Sequence, residues 1–423
     1  MRSLEKAIVT LIWTLRLPAL KRRRPGEIGP TEPDPPREAD QRSKWGSMTV
    51  GDFQGGRAGH GAHRRRVSVR MCVSALGLLT LLRSGSLEAQ SGGRFREEVV
   101  HIQGPLKGLR LGVHHVVRSG ATARDSLPIV LILHGSAVPV SGNPAYPFGG
   151  RSMMQALADD GLDVWSVDFY GFGASDRYPE MNEAPGRHPP LGTAEQQAKQ
   201  TDSVVAFLRR RYSTEQIDLI GLSGGNMTAG LYAARHHELI SRLILFGPVT
   251  PFTAGPAPET AVPAYDFVTP QSLWSSFTSR SQKVAGPPVL DSTMYEGWAA
   301  TYLDSDPTSR TRTPASVRVP SGWQADLAAI STGRFPYDPG AIRAATLVVM
   351  GEWDDDIATF AGAEWLLKRL RQAAQRRLAV IGRGSHTIQF EAERTQLYRV
   401  MADFLNEKER GRGSAVSASG SGQ

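Results

Sequence analysis

Residues 216–236 read QIDLIGLSGGNMTAGLYAARH, and the order of residue types in this stretch decides the fold. Its first seven residues form a short, mostly apolar run of the kind that fills a buried strand. From Asn226 to His236 the pattern turns helical. Between the two sits Gly221-Leu222-Ser223-Gly224-Gly225, a G-x-S-x-G pentamer. The pentamer alone is a weak signal, because a Gly-rich turn that merely joins a strand to a helix has the same letters. Its position gives it weight. A serine on a sharp strand-to-helix turn exposes its hydroxyl at the end of a sheet, and small neighbours allow close approach. Ser223 is therefore the candidate nucleophile.

Working outward, further short apolar runs read as strands: residues 128–134 (PIVLILH), 163–169 (DVWSVDF), 242–246 (RLILF), 346–350 (TLVVM) and 377–381 (RLAVI). Helical spacing lies between and after them. Thr201, Val204, Val205 and Leu208 share one face, as do Ala363, Leu366, Leu367 and Leu370. Leu397, Val400, Met401, Phe404 and Leu405 mark a last helix. This alternation predicts an α/β fold with a mostly parallel, doubly wound sheet flanked by helices on both faces. Right-handed crossovers follow from chain chirality.

A serine hydroxyl is a poor nucleophile at neutral pH. It needs a base within hydrogen-bond reach and a carboxylate to orient that base. Residues 346–350 run into Gly351-Glu352-Trp353-Asp354, and residues 377–381 into Gly382-Arg383-Gly384-Ser385-His386. Functional residues of parallel sheets gather at the carboxyl ends of strands. Asp354 and His386 are the candidates on that ground, with Asp355, Asp356 and Glu352 as alternatives for the acid. His236 and His237 read as helix-end caps, and His188 lies in a polar loop. The tetrahedral oxyanion needs two preorganised donors. The backbone N–H of Gly224 is one. The N–H of Ser136, after the strand ending at His134-Gly135, is the choice for the second. His134 reads as a structural support for that loop, a direct catalytic role being the alternative.

With these residues in view, the chain resembles the α/β-hydrolase superfamily, in its serine-nucleophile branch, over about residues 95–408. The resemblance rests on the His134-Gly135 turn, Asp168-Phe169-Tyr170-Gly171-Phe172-Gly173-Ala174-Ser175, the pentamer, Gly351-Glu352-Trp353-Asp354 and Gly384-Ser385-His386. It implies that the segment from Asp168 to Ser175 is chiefly structural. It also implies a cap after the sixth strand, where residues 250–344 are rich in Pro, Ser, Thr and aromatics, including Trp274, Trp298 and Trp323. A structureless loop of that length is improbable in a compact domain, so this segment is expected to form a helical or irregular cap. Relatives that use an aspartate at the elbow, such as epoxide hydrolases, are excluded as mechanistic matches by Ser223.

The leading expectation is hydrolysis of a carboxylic ester through an acyl-enzyme on Ser223, with no metal and no organic cofactor. Lactone, amide or carbon–carbon bond hydrolysis uses the same constellation, and fold cannot choose among them. A non-catalytic ligand-binding protein of the same fold is the alternative from another class. The aromatic cap suggests a hydrophobic small-molecule ester, although those rings can equally pack the cap onto the core.

Charge and targeting concern the N-terminal part. Residues 1–90 hold 16 Lys and Arg against 8 Asp and Glu, an excess equal to the whole formal charge of +8. The remaining residues balance at 33 of each sign, so nucleic acid is not an expected partner. Arg64-Arg65-Arg66 and Arg70 precede an apolar run at residues 71–82, and Leu87-Glu88-Ala89 follows. That order reads as a secretory signal peptide over residues 67–89, with a secreted or periplasmic product; a buried helix, and a cytoplasmic protein, is the alternative. Residues 1–66, with a Pro-rich stretch at 25–36, read as disordered or as an upstream extension, true initiation being near Met48, Val67 or Met71. Cys72 is the one cysteine, which excludes an internal disulfide and a Cys-based zinc site. No apolar run is long enough for a stable membrane span. The expected layout is a core in two parts, residues 91–249 and 345–408, around the cap at 250–344, with a Gly/Ser-rich disordered tail at 409–423.

Overall fold

The computed structural model describes residues 93–121, 127–252, 255–258, 260–285, 290–355 and 357–407, all within one compact unit. The expected upstream extension (1–66), export signal (67–89) and tail (409–423) lie outside the described residues, as do Cys72 and Asp356.

Among the described residues, ten strands form in chain order: β1 (Phe95–Gln103), β2 (Arg110–Arg118), β3 (Ile129–Leu133), β4 (Asp163–Val167), β5 (Ile217–Leu222), β6 (Ile240–Phe246), β7 (Tyr265–Val268), β8 (Val317–Pro320), β9 (Ala345–Gly351) and β10 (Arg376–Ile381). Eight of them make one sheet in the order β1-β2-β4-β3-β5-β6-β9-β10. The six from β4 to β10 in that order run parallel. β1 and β2 add antiparallel at the β4 edge. The sequence reading begins its strands at residue 128 and misses this edge hairpin. β1 alternates exposed and half-buried residues rather than forming a continuous apolar run, so its hydrophobic signal is the weakest in the sheet.

Every residue of β3, β4 and β5 is buried, because helices cover both faces. On one face Leu131, Leu219 and Leu245 pack under α2 (Ala194–Tyr212), α3 (Gly225–Arg235) and α7 (Phe360–Arg369). On the other, Ile132, Ile220 and Ile244 pack under α1 (Met153–Asp159) and α8 (Arg394–Asn406). Local sequence starts two of these helices with a capping box, Ser152 with Gln155 and Thr193 with Gln196. Such caps satisfy backbone N–H groups that lack an intrahelical partner.

Between β6 and β9 the chain leaves the sheet. It forms α4 (Pro270–Ala285), α5 (Tyr295–Asp304) and α6 (Gly322–Ser331), and pairs β7 with β8 as a separate antiparallel ribbon. The expectation of helical and irregular structure misses that ribbon, whose four-residue strands are too short to display a period. Trp298 ties the insertion to the core, and Trp274 packs beside it within the insertion. Trp298 is fully buried, stacks on Tyr302 at 5.3 Å and donates to the Gly142 carbonyl at 3.2 Å. Trp274 packs against Trp298 and Phe277. No helix among the described residues is long and apolar enough to cross a membrane.

Candidate active site

The turn from β5 into α3 holds Ser223 at φ +50°, a left-handed conformation that costs a non-Gly residue about 1–3 kcal/mol. Surrounding bonds impose it. The Phe246 carbonyl accepts from Ser223 N at 2.8 Å and from Asn226 Nδ2 at 2.7 Å. The outer glycines of the pentamer are there for space. A Cβ on Gly221 would fall 2.8 Å from Ala229 Cβ, and one on Gly225 would fall 2.6 Å from the carbonyl oxygens of Leu133 and His134.

Three side chains that are far apart in sequence converge on this turn. His386 Nε2 lies 2.8 Å from Ser223 Oγ, and His386 Nδ1 lies 2.6 Å from Asp354 Oδ2. Asp354 is buried, and its other oxygen accepts from Ile357 N at 3.3 Å and Ala358 N at 3.1 Å. A carboxylate can only accept, so Nδ1 carries the imidazole proton and Nε2 presents a lone pair to the serine hydroxyl. Of the alternative acids, the two among the described residues do not bond the histidine. Asp355 is exposed, and Glu352 instead accepts from Arg383 N at 2.9 Å.

The loop carrying His386 is tied down by a residue that the sequence reading missed. Glu391 is buried; its carboxylate accepts from Ser385 N at 3.0 Å, from Thr387 Oγ1 at 3.0 Å and from the Ser385 hydroxyl. Gly247 is a second omission. It follows β6 at φ +59°, and a Cβ there would stand 2.8 Å from His386 Cε1 and 3.1 Å from Nδ1. Neither contact has a local sequence signature, since each joins segments that are distant in the chain or depends on space alone.

The two expected oxyanion donors are neighbours. A Cβ on Gly224 would lie 3.3 Å from Ser136 N, and neither N–H bonds a carbonyl among the described residues. Gly224 also opens α3, whose N-terminal dipole favours negative charge at this point. The Ser136 loop is held from below. His134 is buried, and burial lowers its pKa. Its Nε2 accepts from Phe169 N at 3.3 Å, so its Nδ1 donates to the Gly135 carbonyl at 2.7 Å. Asp168 Oδ1 accepts from Val140 N at 2.8 Å, while Oδ2 accepts from Ala174 N at 2.8 Å and meets His114 Nε2 at 2.8 Å. Burial pushes the Asp168 carboxyl up, but His114, His134 and the Ala174 N–H outweigh that and hold it at about 2. A Cβ on Gly173 would collide with this carboxylate at 2.1 Å, which accounts for glycine in that motif. Both His134 and Asp168 thus act on the backbone around the site rather than facing the serine.

Beside the expected oxyanion donors opens a narrow cleft lined by Ser136, Gly224, Gln197, Thr228, Trp323 and Asp326, among others, with about 10 Å³ open to water. A larger apolar groove of about 510 Å³ runs between Pro189, Pro190, Val262 and Ala328, and none of the converging residues lines it. Among the described residues, no group of three or more His, Cys, Asp or Glu could hold a metal ion.

Residues 128–273 match the family model described as the alpha/beta hydrolase fold, which takes in the oxyanion loop and the serine turn. No curated protein sequence matches the chain. Among solved structures, a serine hydrolase from the polyaromatic-hydrocarbon-degrading bacterium Cycloclasticus zankles aligns at 17% identity and TM-score 0.48, over 73% of this chain and 97% of its own. A 2-hydroxy-6-oxo-6-phenylhexa-2,4-dienoate hydrolase from a Rhodococcus species aligns at 17% identity and TM-score 0.47, over 73% and 99%. An alpha/beta hydrolase fold protein from Chitinophaga pinensis aligns at 14% identity and TM-score 0.45, over 73% and 98%.

Proposed function

We propose that this chain, an α/β-hydrolase by fold, is a serine hydrolase that cleaves carboxylic esters through an acyl-enzyme on Ser223. One observation carries the reading: the continuous relay from Asp354 through His386 to Ser223, at 2.6 and 2.8 Å. In this reading His386 Nε2 takes the hydroxyl proton as Ser223 Oγ attacks the carbonyl carbon. The oxyanion that forms is held by the N–H groups of Ser136 and Gly224. His386 then passes its proton to the leaving alcohol oxygen, and the carbon–oxygen bond breaks. Water enters, gives its proton to His386 and attacks the acyl carbon. The proton returns to Ser223 as the acid departs. Asp354 stays ionised and steadies the imidazolium.

The insertion between β6 and β9 serves in this reading as a cap, with Trp323 as its aromatic face toward the cleft. Export through residues 67–89 is proposed on sequence grounds alone. N-terminal sequencing of secreted product checks it, and a product beginning at Met1 contradicts it.

The decisive experiment is a series of p-nitrophenyl esters of increasing acyl length, with Ser223→Ala as control. Turnover is expected to fall by about 10⁴-fold or more in the variant, and a fluorophosphonate is expected to label Ser223 in the folded wild-type protein. Unchanged turnover in Ser223→Ala refutes the assignment of the nucleophile. Labelling of Ser223 together with failure of every ester shifts the reading to lactone, amide or carbon–carbon bond hydrolysis.

A further inference from the structure

The cleft beside the oxyanion donors contains polar atoms that the acyl-transfer steps do not use. Asp326 projects from α6. Its Oδ2 accepts from Ala194 N at 2.8 Å, and its Oδ1 has no partner among the described residues. Gln197 comes from α2. The Thr228 hydroxyl donates to its Oε1 at 2.8 Å, and its Nε2 has no partner among the described residues. One acceptor and one donor are thus uncommitted, and both residues line the same cleft as Ser136 and Gly224. Burial raises the Asp326 carboxyl to about 6. The half-buried carboxylate therefore gains from a donor brought to its free oxygen.

Size and side narrow the occupant. The open volume of about 10 Å³ is roughly what one water molecule or one hydroxyl group fills. The leaving alcohol must lie against His386 Nε2, which protonates it. Neither His386 nor Asp354 lines the cleft, whereas Ser136 and Gly224 do, which favours the acyl side of the scissile bond over the leaving-group side. A hydroxyl group matches the two free atoms, because it can donate to a carboxylate oxygen and accept from an amide nitrogen at once. A carboxylate in the same place would face Asp326 and be repelled.

We infer that this cleft is a specificity subsite for a hydroxyl carried on the acyl chain close to the scissile carbonyl, with Asp326 accepting its proton and Gln197 donating to its oxygen. The preferred substrates are then hydroxyacyl esters rather than plain alkanoyl or dicarboxylic ones. This inference rests on the serine-hydrolase reading above.

The test compares methyl butanoate with methyl 2-hydroxybutanoate and methyl 3-hydroxybutanoate by proton release, on the full-length protein. Ser223 labelling by a fluorophosphonate is followed in parallel. Wild-type protein is expected to favour one of the hydroxy esters by about tenfold or more in kcat/KM, roughly what well-placed hydrogen bonds contribute. Asp326→Asn keeps an acceptor for Ala194 N but turns a donor toward the substrate; Gln197→Met removes the amide. Each should reduce the preference to about twofold or less, a change in ratio that loss of fold would not produce. Hydrolysis of methyl butanoate with no preference for either hydroxy ester overturns the inference and leaves the serine-hydrolase reading standing. So does a preference that survives Asp326→Asn, or a labelled Ser223 with no turnover of the three esters. Absence of both labelling and turnover overturns the two readings together.

Discussion

A methyl group at position 247 would press on the edge of the His386 ring, 2.8 Å from Cε1. Gly247→Ala is therefore expected to cost about 1–2 kcal/mol of stability from its φ of +59°. It should also lower kcat by about 10²-fold by displacing the imidazole. Thermal melting and ester turnover check the two effects separately, and full activity in the variant contradicts the assigned contact. Asp168 makes a prediction about acid. Its folded-state pKa of about 2 lies below its unfolded value of about 4, so folding favours the ionised form. That contribution is present above about pH 4 and is lost as pH falls toward 2, on the order of 2 kcal/mol in all. Asp168→Asn is expected to be less stable at pH 7 and to lose less further stability between pH 4 and pH 2 than the wild type, measured by urea midpoints.

The loop after β10 shows how an element serves one side chain. Ser385, Thr387 and Glu391 form a closed hydrogen-bonded knot, and His386 lies within it. Glu391→Gln replaces one acceptor oxygen by an amide that cannot accept. Lower kcat by about tenfold with KM within about twofold is expected, since the base is mispositioned while substrate contacts remain; a drop in melting temperature with kcat unchanged would make Glu391 merely structural. The same loop marks the limit of what sequence reveals. Ser223, Asp354 and His386 were legible because each follows a continuous apolar run and sits where β5, β9 and β10 end. A local pattern therefore places each of them on a common edge of the sheet. Glu391 and Gly247 were not, because their roles arise from contact between segments that share no periodicity. Asp326 and Gln197 come to line one cleft only because the insertion folds back over the start of α2. β1 and β2 were missed for a different reason: β1 is a half-exposed edge strand, and β2, though mostly buried, has its apolar run broken by Gly112, His114 and His115, so neither shows the dense apolar signal of a central strand.

At the scale of the described residues together, the insertion between β6 and β9 shares one hydrophobic cluster with the sheet, from Leu131 and Leu219 to Trp298 and Tyr302. Polar ties reinforce it: Tyr302 Oη donates to the Ala137 carbonyl, and Arg177 donates to that of Ser305. Calorimetry should therefore show insertion and sheet melting in one transition, and two separated peaks would contradict the shared core. Trp298→Phe removes the bond to Gly142 and part of this packing, so a loss of about 1–3 kcal/mol is expected from its denaturation midpoint. The tethering of the Ser136 loop has a further consequence. Val140 is fastened to Asp168, Ala137 to Tyr302 and Gly142 to Trp298. The N–H groups of Ser136 and Gly224, the proposed oxyanion donors, are thus set in place by the fold itself. Under the proposed mechanism, the reactivity of Ser223 is then a gauge of folding. Along a denaturant titration, the fraction of Ser223 that reacts should trace the fraction of chain still native, with no inactive folded species appearing first.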